Sequence, residues 1–166
     1  MKLQEIIVVL IIAALFIVPM AYFRTKQKRK TRGILNALSQ LNGLNLSITE
    51  FDSWNDIYAI GLDKVQKKLV YTKNSGKGKI QQVIDLTTVT RCELISNYQD
   101  VNGNRVFEAI KLQVAFSNPN QQEIALEFYS NQNSLSVNEE LQLATKWQNI
   151  VKAQLQTEGR KAAAIA

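Results

Sequence analysis

Histidine is missing from this chain altogether, cysteine occurs once and proline twice. Without histidine there is no imidazole to move protons near neutral pH, no Ser-His-Asp or Cys-His pair, and none of the usual histidine-bearing zinc sites. A single thiol, Cys92, excludes an intrachain disulfide, and its apolar neighbours mark it as a small core side chain. Carboxylate chemistry would have to rest on Asp63, Asp85 or Glu93, which are scattered along strand ends and exposed faces. None has a neighbour of the kind that makes a nucleophile or a metal site. The chain therefore reads as non-enzymatic, with no cofactor and no metal.

Charge is missing from residues 6–23, where 18 consecutive positions carry none. A helix of that length reaches about 27 Å, close to the ~30 Å hydrocarbon core of a bilayer. Twelve of the 18 are Ile, Val, Leu or Phe, which favours insertion by about 4–7 kcal/mol. Residues 1–23 thus read as an uncleaved transmembrane anchor. The only charged side chains before the run are Lys2 and Glu5, whereas Arg24, Lys26, Lys28, Arg29, Lys30 and Arg32 follow it. Positive charge stays on the cytoplasmic side, so the expectation is a single-pass protein of the inner (plasma) membrane, N-terminus outside and C-terminal domain in the cytoplasm. A cleaved signal would carry its bases before the apolar run. A pilin-like extracytoplasmic subunit, suggested by Glu5 opening the run, is the competing arrangement and places the domain against the charges.

The formal charge of +6 is confined to the first 32 residues, which hold seven bases and one acid; the other 134 balance 13 bases with 13 acids. The body of the chain has no basic footprint, and no nucleic-acid partner is expected. The six juxtamembrane bases suffice as a topology signal, and beside an anionic leaflet each adds up to about 1 kcal/mol of attraction. The bilayer is therefore one partner.

Residues 24–43 combine that basic segment with an amphipathic helix carrying Ile34, Leu35, Leu38 and Leu41 at helical spacing, stopped by Asn42-Gly43. From residue 44 the period falls to two. Strands are expected over 44–52, 57–63, 68–73, 80–86, 89–98, 106–116 and 123–130. Turns are expected at 52–56 and 100–104, and a flexible loop at 74–79. The sixth strand is the clearest, with Ile110, Leu112, Val114 and Phe116 on one face; in the seventh, Ile124, Leu126 and Phe128 point inward. A helix over 137–155 then places Val137, Leu141, Ala144, Trp147, Val151 and Leu155 on one broad stripe, with Ser136 and Glu139 spaced as a capping box. Residues 156–166 read as a flexible tail.

Seven strands followed by one amphipathic helix make a mainly β barrel or sandwich closed by the C-terminal helix. Over residues 44–155 this order, with Trp147 in the closing helix stretch LATKWQNIV, resembles the pleckstrin-homology-like superfold. The resemblance implies a binding scaffold rather than a catalyst, with phosphoinositides or protein segments as ligands. Lipid recognition in that family uses bases between the first two strands, where this chain has Asp52-Ser53-Trp54-Asn55-Asp56, two acids and no base. The loop between the third and fourth strands carries Lys73, Lys77 and Lys79 around two glycines, the candidate anion contacts, while Trp147 is a structural residue. The leading expectation is a protein-interaction adaptor or envelope-complex subunit with an unidentified protein partner; the alternative is an anionic-lipid sensor using the Lys73/Lys77/Lys79 loop. The Asn-, Gln-, Lys- and Ile-rich composition points to a bacterial chain.

Overall fold

The computed structural model describes residues 33–165 apart from 35, 37, 40–42, 77 and 135, with side chains followed to Gln156. The apolar run at 6–23 and the bases Arg24, Lys26, Lys28, Arg29, Lys30 and Arg32 lie outside the described residues. Among the described residues, no helix is long and apolar enough to cross a membrane.

Among the described residues, seven antiparallel strands form two sheets. β1 (Glu50–Trp54), β2 (Tyr58–Asp63), β3 (Lys68–Ser75) and β4 (Gly78–Asp85) pair in chain order. β5 (Val89–Val101), β6 (Asn104–Phe116) and β7 (Ile124–Ser130) form a separate three-stranded sheet, and α1 (Glu140–Ile165) follows. The sheets are not joined into a closed barrel, so the expected mainly β architecture with a C-terminal helix stands as a two-sheet arrangement.

The inner faces make the main core: Tyr58, Ile60 and Leu62 of β2, Leu69 and Tyr71 of β3, Ile110, Leu112 and Val114 of β6, and Leu126 and Phe128 of β7. Ala144, Trp147 and Val151 of α1 pack into it, with Leu141, Leu143, Ile150 and Leu155 around them. The helical stripe lands where its period put it. Its start differs: α1 begins at Glu140, the Asn138 amide donates to the Glu140 carboxylate at 2.6 Å, and Ser136 does not cap. The helix also runs on to Ile165, through the segment expected as a tail.

A second core lies on the outer face of the four-stranded sheet. Leu38, fully buried in the helical residues near 33–39, packs with Leu46, Ala59 and Val70, and Ile34, Leu44, Ile48 and Phe51 surround them. This is why every residue of β2 is buried: the sheet has core on both sides. Residues 44–49 were expected as strand because they alternate, yet they run beside the sheet, and β1 starts only at Glu50. Here the alternation reflects side chains reaching the outer core, not ladder pairing. At Gly61 the fit is close, since a Cβ there would sit 3.0 Å from the Ile48 methyl and 3.3 Å from that of Val70. Gly61→Ala is expected to destabilise the fold by about 1–3 kcal/mol, the usual result of forcing atoms into a filled core; an unchanged urea midpoint would contradict that packing.

Turn chemistry sets the hairpins. Asn55 and Asp56 adopt φ of 52° and 56°, and the Ile57 amide donates to the Trp54 carbonyl at 3.3 Å. Asn and Asp tolerate this left-handed region better than other side chains. The strand therefore runs through Asp52, Ser53 and Trp54, which the sequence pattern assigned to the turn. Asn102-Gly103, at φ 54° and 79°, closes β5 onto β6 with Val101 opposite Asn104, so those strands extend beyond the expected 98 and 106. Where a loop was expected from residue 74, the strands continue: Asn74 pairs with Lys79 and Ser75 with Gly78.

Candidate binding end

One end of the molecule gathers the β1–β2 turn, the β3–β4 hairpin, the start of α1 and Gly33. Trp54 organises it. Its ring stacks on Tyr58 at 5.2 Å and on Phe128 of the other sheet at 4.8 Å, and its indole N–H donates to the Phe128 carbonyl at 2.8 Å. The two sheets are thereby clamped at the turn. Asn55 Nδ2 donates to the Glu140 carboxylate at 2.8 Å, which ties the same turn to the first turn of α1.

Beneath the stack lies a cross-sheet polar cluster. Glu127 Oε1 accepts from Lys73 Nζ at 2.7 Å, from the Tyr58 hydroxyl at 2.6 Å and from Asn133 Nδ2 at 3.1 Å. The Tyr71 hydroxyl donates to the Glu127 carbonyl at 2.6 Å. Burial pushes the Glu127 carboxyl up, but the bonds from Lys73, Tyr58 and Asn133 outweigh it and hold it below its ordinary value. Burial, aided by the nearby carboxylate, raises the Tyr58 hydroxyl, which stays a donor at all physiological pH.

This cluster decides the fate of the candidate anion contacts. Lys73 sits within β3 with its ammonium on Glu127 and over the Tyr58 ring at 5.8 Å, so it faces the protein. Lys79 is exposed on β4, and Lys77 lies outside the described residues. The structure does not bring Lys73 and Lys79 into one cationic site.

Two grooves flank Trp54. The first, about 520 Å³, lies between the helical residues Gly33, Ile34 and Leu38 and the hairpin residues Asn55, Asp56, Tyr58, Thr72, Asn74, Lys79 and Gln81. It is apolar at its floor, amide- and hydroxyl-rich at its rim, and carries one acid and one base. The second, about 470 Å³, lies between β1 and α1, lined by Asp52, Ser53, Asn55, Glu139, Leu143 and Lys146. There Asp52 Oδ2 accepts from Lys146 Nζ at 2.6 Å and from the Trp147 indole N–H at 2.8 Å. Trp147, expected as structural, is fully buried under this bond.

The carboxylates weighed for chemistry have structural partners. Asp63 is buried, not exposed, and accepts the amides of Ser47, Val65 and Gln66 at 2.7, 2.8 and 2.8 Å, shaping the β2–β3 turn. Asp85 pairs with Lys68 and accepts from Thr87, while Glu93 lies beside Arg91 at 3.7 Å. Cys92 is buried, and burial pushes its thiol up to about 11. No group of three metal-ligating side chains occurs among the described residues.

Sequence reasoning passed over Trp54 and Glu127. A tryptophan between Ser and Asn reads as turn material, and the second Glu of EIALEFYS reads as the solvent face of a strand. The signal lay in Asn55-Asp56, which makes a left-handed turn and so frees Trp54 for the strand. Comparison of the chain with known protein families, with curated proteins and with solved structures gives no match.

Proposed function

We propose that this chain is a non-enzymatic, single-pass membrane protein whose pleckstrin-homology-like domain presents a binding scaffold to the cytoplasm, as an adaptor or envelope-complex subunit. The observation that carries the binding reading is the groove beside Trp54, about 520 Å³, with an apolar floor, a hydrogen-bonding rim and balanced charge at Asp56 and Lys79. Such a lining suits an uncharged or mixed segment of a protein better than a phosphorylated headgroup, which asks for several convergent cations. The engagement of Lys73 by Glu127 weighs the same way, against the anionic-lipid sensor. The order of four strands, three strands and a helix bearing Trp147 supports the pleckstrin-homology-like assignment. The uncharged run at 6–23 and the six bases after it support the anchor and its orientation.

The test is made in intact cells with the full chain. A reporter fused after Ala166 is expected to report the cytoplasm. A photo-crosslinking residue at Gln81, in the groove, is expected to give a discrete protein adduct that the same residue at Glu123 does not give. A reporter active only outside the cytoplasm, or adducts at Gln81 confined to lipid, would overturn the proposal.

A further inference from the structure

The β5–β6 hairpin outgrows its sheet. β7 pairs with β6 only from Ala109 to Val114, so the nine residues 98–106 form a two-stranded arm with no third strand. All nine are exposed. Among them are three large apolar side chains, Tyr98, Val101 and Val106, at 45, 47 and 51% exposure. The pairing places Tyr98 opposite Phe107 on one face and Val106 opposite Gln99 on the other, so apolar groups project on both faces. The arm carries one acid, Asp100, and one base, Arg105, whose guanidinium lies over the Tyr98 ring at 4.9 Å.

The arm leaves the body at the end from which the chain runs back toward residue 32. Arg105, Val106 and Phe107 share a cleft with Val137, Asn138 and Leu141. The next residue but one on that side, Glu140, is bonded to Asn55, and Asn55 shares the first groove with Gly33. Nine residues, 24–32, separate Gly33 from the uncharged run and reach at most about 30 Å. An arm strand of five residues is roughly 17 Å long. The arm is therefore within reach of whatever surface receives the basic segment.

We infer that the tip of this arm dips into the interfacial layer of the bilayer, with Val101, Val106 and Tyr98 among the headgroup and upper acyl regions. This inference rests on the anchor reading above. A protein partner would cover one face of the hairpin, whereas a lipid interface surrounds both, and both faces carry exposed apolar groups. The absence of net charge makes the contact hydrophobic, independent of anionic lipid. Depth is limited, because both strand edges carry backbone N–H and C=O groups that hydrocarbon would leave unpaired. A tyrosine with an arginine over its ring suits the water-facing boundary of such a layer.

The full chain, reconstituted in vesicles of zwitterionic phosphatidylcholine, tests this with an environment-sensitive fluorophore at Val101→Cys, Val106→Cys or Val65→Cys. Val65 is 81% exposed in the β2–β3 turn and serves as the reference, while buried Cys92 stays unlabelled. Nitroxide-bearing lipid is expected to quench the probes at positions 101 and 106 roughly threefold more than the probe at 65, as for side chains at the acyl boundary. Equal quenching at all three positions overturns the inference, with the anchor intact if the protein resists alkaline extraction. A protein stripped from the vesicles by alkali overturns the anchor and the inference together. Disulfide-linked dimers through Val106→Cys without lipid quenching would assign the arm to a second copy of the chain and overturn it as well.

Discussion

Replacing Trp147 with alanine is expected to remove about 3–5 kcal/mol of stability, the range for emptying a large aromatic site in a packed core. The side chain is fully buried, it is the largest in the main core, and it joins α1 to both sheets. The loss includes its indole donor. Asp52, which accepts that N–H at 2.8 Å, sits on β1, so the bond fixes the helix against the first sheet. Trp147→Phe keeps most of the ring volume and removes the hydrogen bond along with the remaining part of the indole, with an expected loss of about 1–3 kcal/mol. Single domains hold about 5–15 kcal/mol in all, so the alanine variant should populate unfolded chain measurably at physiological temperature. Urea unfolding of the full chain in detergent, followed by far-ultraviolet circular dichroism, gives both values. A loss below about 1 kcal/mol for the alanine variant would mean that the helix does not close the core.

The second large effect is at Glu127. Its removal leaves the mostly buried Lys73 ammonium without a counter-charge and the Tyr58 hydroxyl without its acceptor, while Asn133 Nδ2 keeps only the Tyr58 oxygen at 3.1 Å. Glu127→Ala is expected to lose about 2–4 kcal/mol, toward the lower end for breaking a buried pair because some solvent reaches the site. The double variant Lys73→Met/Glu127→Leu should be less destabilised than Glu127→Ala alone, because no uncompensated charge remains. The pH dependence has a definite sign. The folded Glu127 carboxyl titrates below the ordinary carboxylate value, so its contribution is complete above the unfolded value of about 4.5 and declines as pH falls through the folded one. Stability measured from pH 7 down to 3 should therefore fall more steeply in the wild type than in Glu127→Gln. Parallel curves would show that the carboxylate is not the titrating link.

Both sites lie where two elements distant in sequence meet, and this separates what was legible in the sequence from what was not. The α1 stripe from Ala144 to Val151 was readable because a helix repeats every 3.6 residues and buries one side. The inward set of β6 and β7 was readable for the corresponding reason at period two. Residues 44–49 were misread because alternation records which side chains are covered, and a helix packed outside the sheet produces the same alternation without strand pairing. Lys73 illustrates the converse. Its neighbours in sequence are polar and suggested a solvated loop, yet its partner Glu127 lies 54 residues away on the other sheet. No local pattern encodes that encounter.

The sequence by itself determined the uncharged run at 6–23, the basic cluster after it, the neutrality of the remaining 134 residues and the succession of seven strands and a helix. These follow from composition and from periodicities that act over a few residues. Only the tertiary structure decided that Trp54 clamps the two sheets, that Lys73 faces the protein, that the strands divide into two separate sheets and not a closed barrel, and that residues 98–106 project beyond their sheet. Each of those depends on which strands end early and which side chains meet across the core, and such long-range contacts are fixed by packing the whole chain at once.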